Sequence, residues 1–306
     1  MAKVAFVFPG QGSQQVGMGR SVFDTEPGRD VFVRADRALG AAISRVCFEG
    51  PDSELQLTAN AQPAILTTSI ALHNALGETC DMMAGHSLGE YSANVAAGAL
   101  RFEEAVVLVH KRGRYMQEAV PLGHGAMAAV LGGDAATVER ICAETAGVVT
   151  PVNYNCPGQL VIAGEAAAVA QACAALQTAG AKTRALPVSA PFHCELMQPA
   201  EDRLEPDLHA AAWSVPSVPI YVNIDAAPVT TADAACSALV QQVSRPVRWQ
   251  QAVERMLADG VTLFVEIGAG KVLNTMIKRI AKDVERVNVE TAQNMEAARS
   301  AIARHR

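Results

Sequence analysis

The pentapeptide Gly85-His86-Ser87-Leu88-Gly89 combines residue types and spacing that suit nucleophilic chemistry. It lies between an apolar stretch at 82–84 and small residues at 90–98, a pattern that predicts a strand, a sharp turn and a helix. A serine on such a turn has its hydroxyl pushed out of the sheet, and the following helix directs free N–H groups at the same spot. The motif therefore predicts a serine nucleophile whose attack creates an oxyanion; the alternative is a tight turn that merely contains serine.

A second candidate is an arginine on an apolar helix face. Arg112 shares that face with four apolar residues between positions 105 and 116, in a segment predicted to be helical over 103–118. An arginine that points inward must be paired, because an unpaired buried charge is costly. An internal Glu or Asp is the more common partner. The functional alternative is a substrate carboxylate, whose two oxygens match the planar guanidinium.

A serine nucleophile needs a base, and histidine is the usual base at neutral pH. Of the seven histidines, His193 has the best placement, because its loop at 191–194 separates a predicted strand at 182–188 from a predicted helix starting near Glu195. Loops at strand ends commonly carry catalytic groups. His193 is therefore the candidate base.

Two glycine-containing loops follow predicted strands. The loop at 8–14 lacks the third glycine of a dinucleotide-binding loop and the Gly-Lys-Ser/Thr of a P-loop, so nucleotide binding is not favoured. Its free N–H groups are instead candidates for an oxyanion donor near the nucleophile. The loop at 266–271 favours a tight turn that needs small residues over a ligand contact.

Composition and charge exclude several functions. The 306 residues, 50% of them hydrophobic, are enough for a sizeable core. A net charge of −6 without a Lys/Arg run argues against nucleic acid, and no apolar stretch reaches membrane-spanning length. The seven cysteines form no Cys-x-x-Cys pair, so the sequence predicts no disulfide framework, no metal site and a cytoplasmic location.

The order of the predicted strands and helices that must position these residues indicates an α/β fold with two lobes. A larger lobe at 1–123 and 190–306 alternates strands and helices, which favours a parallel sheet. A smaller lobe at 124–189 has the order β-α-β-β-α-β of a ferredoxin-like unit. In the larger lobe the predicted strands are 4–8, 82–84, 218–223 and 263–267, and the predicted helices are 30–46, 63–76, 103–118, 232–243 and a surface helix after about 291. In the smaller lobe they are strands 126–131, 149–153, 159–163 and 182–188, and helices 135–146 and 167–178.

Several motifs in one order resemble the malonyl-CoA:acyl carrier protein transacylases, a family that includes the acyltransferase domains of polyketide synthases. The resemblance covers nearly the whole chain and is far more specific than any single motif. It is carried by Phe8-Pro9-Gly10-Gln11-Gly12-Ser13-Gln14, Gly85-His86-Ser87-Leu88-Gly89-Glu90-Tyr91, Arg112-Gly113, Gly125-Ala126-Met127, Asn153-Tyr154-Asn155, Pro157-Gly158-Gln159, Phe192-His193, and Gln242 with Pro246-Val247.

The resemblance implies an α/β-hydrolase-like lobe plus a ferredoxin-like lobe, and it implies a role for each matching residue. Ser87 would carry the acyl group as an ester, and His193 would be the base, oriented by the backbone carbonyl of Gln242. The amides of Leu88 and Gln11 would form the oxyanion hole. The remaining assignments are Arg112 for the malonyl carboxylate, Phe192 for an unbranched malonyl unit rather than methylmalonyl, and Asn153 and Asn155 for the path of CoA or phosphopantetheine.

The resemblance also implies an activity: a ping-pong transfer of malonyl from malonyl-CoA to the phosphopantetheine thiol of acyl carrier protein, for fatty acid synthesis. The expected partners are that carrier protein and a CoA thioester, without a tightly bound cofactor, nucleic acid or membrane, and the chain is expected to be a monomer. A discrete polyketide-synthase acyltransferase and a serine hydrolase or thioesterase are the alternatives.

Overall fold

Two β-sheets organise the computed structural model, which describes residues 2–188 and 190–306. The strands are β1 (Lys3–Phe8), β2 (Met82–Gly85), β3 (Gly125–Leu131), β4 (Val149–Cys156), β5 (Gln159–Glu165), β6 (Lys182–Ala185), β7 (Ile220–Tyr221), β8 (Pro228–Val229), β9 (Val261–Ile267) and β10 (Glu285–Val289). The helices are α1 (Arg20–Phe23), α2 (Glu26–Leu39), α3 (Ile43–Glu49), α4 (Asp52–Leu55), α5 (Thr58–Leu76), α6 (Leu88–Ala96), α7 (Phe102–Glu118), α8 (Ala135–Glu144), α9 (Ala166–Thr178), α10 (Gln198–Ala210), α11 (Ala232–Gln241), α12 (Trp249–Ala258), α13 (Val272–Ile280) and α14 (Met295–Arg304).

The larger sheet has the strand order β10-β9-β1-β2-β7-β8, with every pair parallel except β7 with β8. Its central strand β1 lacks polar alternation because both of its faces are covered. Phe6 and Phe8 pack into the core that contains α2 and α5, whereas Ala5 and Val7 pack into the core that contains α12 and α13. This confirms the predicted buried parallel strand.

The smaller sheet has the order β4-β5-β3-β6 and is antiparallel throughout. Alternate residues of β3 face opposite sides, so that Ala128 and Val130 pack on α8 and α9 while Met127 joins the core of the larger sheet. The order β-α-β-β-α-β confirms the ferredoxin-like unit within an α/β fold. The lobe limits at 123/124 and 189/190 stay a prediction, and residues 1 and 189, which end two of the predicted ranges, lie outside the described residues.

Several element predictions were wrong in detail. The predicted helix at 30–46 is two helices, because Gly40 takes a left-handed conformation (φ 63°) that ends α2. The predicted strands at 182–188 and 218–223 are shorter, at Lys182–Ala185 and Ile220–Tyr221. Helix α12 and the edge strand β10, whose residues are mostly half-buried, were not predicted. The predicted surface helix after 291 is α14, with one face buried.

The loop after β9 is a tightly packed turn, as the small residues at 266–271 indicated. Gly268 has φ 150°, and a Cβ added there would lie 2.5 Å from the Pro9 ring. The buried Glu266 carboxylate accepts hydrogen bonds from the amides of Leu273 and Asn274 in the first turn of α13, at 2.9 and 2.8 Å. None of the helices within 2–188 and 190–306 combines the length and apolar character that crossing a bilayer requires.

The glycines of the serine motif are required by close backbone contacts. A Cβ on Gly85 would lie 1.9 Å from the carbonyl carbon of Gly89, and a Cβ on Gly89 would lie 2.0 Å from the carbonyl oxygen of Phe8. A Cβ on Gly10 would lie 2.3 Å from the carbonyl oxygen of His86. The turn that carries Ser87 is therefore pressed directly against the end of β1.

Gly89→Ala is expected to lower the free energy of unfolding by about 1–3 kcal/mol, because backbone atoms cannot make room for the added methyl. Thermal or urea unfolding measures the change. Gly133→Ala is the matched control, since its added Cβ would meet only side-chain carbons, of which the nearest is a Val138 methyl at 3.2 Å. Equal losses of stability in the two variants would contradict the steric account of the motif.

Candidate active site

Ser87 lies on the turn between β2 and α6 with φ 51° and ψ −109°, a conformation that side chains rarely adopt. One side chain clamps this turn from both ends. The Ser87 amide donates to Asn223 Oδ1 at 2.7 Å, and Asn223 Nδ2 donates to the carbonyl of Gly85 at 2.7 Å. The strained backbone is thus fixed by an amide from the end of β7.

His193 lies next to the serine hydroxyl, as its loop position predicted. Its Nε2 is 2.7 Å from Ser87 Oγ, and its Nδ1 is 2.8 Å from the backbone carbonyl oxygen of Gln242. A carbonyl oxygen only accepts, so Nδ1 carries the proton and Nε2 is free to accept from the serine hydroxyl. This is the tautomer that a general base needs. His193 also has a positive φ, of 65°.

Burial and, to a smaller extent, the nearby Arg112 guanidinium lower the pKa of His193 to about 3, while the hydrogen bond to Gln242 opposes that shift. The imidazole is therefore neutral at physiological pH in the free protein. It is ready to take a proton, and its charged form becomes more stable once an anion reaches Arg112.

Arg112 projects from α7 into the same site and is only 1% exposed. Its Nη1 donates to Gln62 Oε1 at 2.8 Å, and its Nη2 donates to Gln242 Oε1 at 3.0 Å and to Ser87 Oγ at 3.3 Å. Its Nε has no hydrogen-bond partner, and the guanidinium lies 5.5 Å from the Tyr91 ring centre. Sequence patterns most often imply an internal Glu or Asp as the partner of such an arginine. Arg112 instead donates its hydrogen bonds to neutral oxygens.

A cavity of about 500 Å³ opens onto these groups. Six of the residues predicted for the site line it: Gln11, Ser87, Arg112, Asn153, Phe192 and His193. Apolar side chains supply much of the remaining wall, among them Met116, Met127 and Leu186. The cavity therefore joins the candidate nucleophile, the candidate base and a buried cation to a surface suited to a carbon chain.

Three predicted residues lie behind the cavity wall. Leu88 is the first residue of α6, which places its backbone amide at the helix N-terminus beside Ser87. Gln242 is fully buried and contacts His193 and Arg112. Asn155 is also buried, and its Oδ1 accepts from Nε2 of His86 at 2.9 Å. His86 itself lines the cavity. A contact of Asn155 with a pantetheine chain stays a prediction.

Sequence reasoning missed three polar residues that fix the site. They are Gln62 on α5, Glu90 on α6 and Asn223 at the end of β7. Gln62 and Asn223 looked like ordinary polar residues, whereas Glu90 belongs to the motif at 85–91 that carries the resemblance but was given no role. The one available signal was the position of Asn223 at the carboxyl end of a parallel strand, where functional groups of α/β sheets collect.

Comparison with known proteins agrees with this geometry. Residues 5–302 match the family model described as "Acyl transferase domain". The chain belongs to the acyltransferase family. This acyltransferase is 49% identical over 288 residues to the malonyl CoA-acyl carrier protein transacylase of Escherichia coli (strain K12), covering 92% of this chain and 93% of that protein.

Solved structures of malonyl-transferring enzymes are also similar to this acyltransferase. The acyl-carrier-protein-S-malonyltransferase of Bartonella henselae superposes with a TM-score of 0.96 at 42% identity, covering 99% of this chain and 100% of that one. A malonyl-transacylase solved in complex with a type II polyketide synthase acyl-carrier protein superposes with a TM-score of 0.95 at 40% identity, covering 98% of this chain and 100% of that one. The two-lobe fold is thus confirmed.

Replacing Arg112 by the uncharged Met is expected to move the acid limb of serine reactivity to higher pH. Loss of the cation raises the pKa of His193, so the base becomes protonated at a higher pH than in the wild type. The measurement is the rate of Ser87 labelling by an uncharged fluorophosphonate, from a pH below the wild-type pKa of His193 up to neutral pH. Arg114→Met is the control, because Arg114 lies on the same helix but is exposed and paired with Glu118. Identical acid limbs in the two variants would count against the coupling.

Proposed function

We propose that this acyltransferase moves a malonyl group from malonyl-CoA to the phosphopantetheine thiol of an acyl carrier protein. The observation that carries the proposal is the buried guanidinium of Arg112, which has neutral partners and lies 3.3 Å from Ser87 Oγ. An acyl group esterified to Ser87 that ends in a carboxylate is the group that meets such a cation. The names of the relatives support the same substrate and acceptor.

In the proposed first half-reaction, Ser87 Oγ attacks the thioester carbonyl while His193 Nε2 takes the hydroxyl proton. The oxyanion is stabilised by the backbone amides of Leu88 and Gln11. The carbon–sulfur bond then breaks, His193 returns the proton to the sulfur, and CoA leaves. The product is a malonyl ester of Ser87.

In the proposed second half-reaction, the phosphopantetheine thiol attacks that ester and gives its proton to His193. The carbon–oxygen bond breaks, and Ser87 recovers its proton. CoA thus leaves before the carrier thiol reacts, which makes the sequence ping-pong. The proton-transfer and binding groups that this sequence of steps uses belong to the chain.

The proposal places the reaction at the supply of malonyl units for fatty acid synthesis. A discrete polyketide-synthase acyltransferase is the second candidate, because one similar structure is a malonyl-transacylase bound to a polyketide carrier protein. A thioesterase is disfavoured by Arg112 and by the neutral carbonyl that orients His193.

All seven cysteines are free, which fits the cytoplasmic location that the proposal includes.

Intact mass after mixing the protein with malonyl-CoA tests the nucleophile. The wild type is expected to gain one malonyl group, which a holo carrier protein then removes. Ser87→Ala is expected to gain none, because the attacking oxygen is absent. An adduct of undiminished yield in that variant would place the nucleophile elsewhere, and CoA release without an adduct or a carrier would indicate a hydrolase.

Arg112→Ala is expected to lower malonyl transfer by roughly 10- to 100-fold, the worth of a hydrogen-bonded charge pair. Acetyl transfer should fall less, so the preference for malonyl shrinks. Competition between equal concentrations of malonyl-CoA and acetyl-CoA measures that preference as the ratio of the two adducts. Lys111→Ala controls for loss of a cation from the same helix, since Lys111 contacts Asp207 and does not line the cavity. A wild-type adduct ratio in Arg112→Ala would remove Arg112 from the role.

A further inference from the structure

The side-chain amide of Gln242 lies between two buried charges. Its Oε1 accepts from Arg112 Nη2 at 3.0 Å, and its Nε2 donates to Glu90 Oε2 at 2.9 Å. All three side chains are buried, with exposures of 0% for Gln242 and Glu90 and 1% for Arg112. A single neutral amide therefore links a cation on α7 to a carboxylate on α6 and keeps the two apart.

The position of Glu90 is fixed independently of Gln242. Its Oε2 also accepts from the amide of Asn223 at 2.8 Å, while its Oε1 has no hydrogen-bond partner. Burial raises the pKa of Glu90 to about 7, whereas the bonds from Gln242 and Asn223 and the attraction of Arg112 oppose that rise. The Glu90 carboxylate is thus attracted electrostatically by the Arg112 guanidinium but forms no ion pair with it.

Direct contact would change what Arg112 can bind. A buried guanidinium that is already paired with a carboxylate is neutralised, and an incoming acyl carboxylate would have to displace that partner. Arg112 takes part in none of the ion pairs between described residues. Complete loss of the negative charge is also costly, because the cation would then be buried without compensation.

Only a primary amide suits position 242. Its oxygen faces a donor, Arg112, whereas its nitrogen faces three acceptors: Glu90 Oε2, the Ser87 carbonyl at 3.1 Å and Asn223 Oδ1 at 3.4 Å. A carboxylate there would meet acceptors on one side and pair with Arg112 on the other. The surroundings of Gln242 therefore select a neutral group with one donating and one accepting end.

We propose that Gln242 is a neutral spacer between Glu90 and Arg112, and that this separation keeps Arg112 available to an acyl carboxylate. Glu90 offsets the buried cation from a distance, and Gln242 prevents the two from closing into an internal ion pair. Both are positioning residues for acyl specificity. The inference rests on the proposed malonyl transfer, because it concerns the selection of a carboxylate-bearing acyl group.

The test exchanges the two residues in the double variant Glu90→Gln/Gln242→Glu. The number of buried charges is unchanged, but the carboxylate now lies against Arg112. The preference for malonyl-CoA over acetyl-CoA, taken as the ratio of the two kcat/KM values, is expected to fall by roughly 10-fold or more, with a raised KM for malonyl-CoA. General damage to catalysis cancels in the ratio, and labelling of Ser87 by an uncharged fluorophosphonate verifies that the variant is folded.

Glu90→Gln alone is the matched control, because it removes the charge but leaves Arg112 with neutral partners. Its KM for malonyl-CoA should be no higher than that of the wild type. Gln62→Glu provides a second route, since it brings a carboxylate to the other side of Arg112, where Gln62 Oε1 accepts from Nη1 at 2.8 Å. It should lose the preference for malonyl as the exchanged variant does, even where the exchanged variant does not fold.

Two outcomes would overturn the proposal that Gln242 is a neutral spacer. One is a wild-type preference for malonyl in the folded exchanged variant or in Gln62→Glu. The other is an equal loss of preference in Glu90→Gln, which would show that the charge matters and its separation does not. A wild-type protein without any preference for malonyl-CoA would instead refute the proposed function, so the two failures are distinguishable.

Discussion

A guanidinium keeps its charge inside a protein, and burying Arg112 therefore obliges its surroundings to supply acceptors at fixed places. Gln62 on α5 and Gln242 just after α11 each contribute an amide oxygen, and Tyr91 on α6 contributes the face of its ring. Three helices and one loop must hold their relative positions for this cation to be tolerated. Two of those helices also form part of the cavity wall, α5 through Gln62 and α7 through Arg112 and Met116.

The groups that do the chemistry depend on the same network. The backbone carbonyl of Gln242 fixes the tautomer of His193, while the side chain of Gln242 contacts Arg112. Asn223, which clamps the turn of Ser87, also donates through its amide to Glu90. Strained backbone at Ser87 and His193 persists because hydrogen bonds from distant parts of the chain over-determine both positions. The candidate nucleophile, the candidate base and the buried cation are therefore one structural unit.

The sequence predicted those parts of the site that leave a local signal. Flanking glycines between a predicted strand and a predicted helix indicate Ser87, and a position on the apolar face of a predicted helix indicates Arg112. Gln62 and Asn223 leave no such signal, because their partners lie far away in the chain and their types are common in helices and loops. Glu90 stands in the serine motif, but the motif does not reveal that its carboxylate contacts Asn223 and Gln242. Gln242 was assigned only through resemblance to a family, and its side-chain contacts became evident only from the fold.

The same distinction applies to the fold itself. Strand β1 was predictable because burial on both faces produces an uninterrupted apolar run, and the small sheet because its strands and helices alternate clearly. Strand β10 at the sheet edge is half-buried and carries no such pattern. The break between α2 and α3 depends on a left-handed Gly40, which a helical periodicity does not reveal. The overall α/β architecture was thus predictable, whereas element ends were set by single residues and by position in the sheet.

The carbonyl that orients His193 has a consequence for which nucleophile can attack an acyl-serine. An uncharged oxygen stabilises an imidazolium less than the carboxylate of a Ser-His-Asp triad does, so His193 is a weak base. A thiol, with a pKa of about 8.5, needs little help to lose its proton, whereas water, at about 15.7, needs a great deal. The Ser87 hydroxyl can lose its proton to this weak base because it is held 2.7 Å from His193 while Arg112 donates to its oxygen. In the proposed mechanism, a peptide oxygen in place of an acid would thus give the acyl-enzyme a long life in water and a short one in the presence of a thiol.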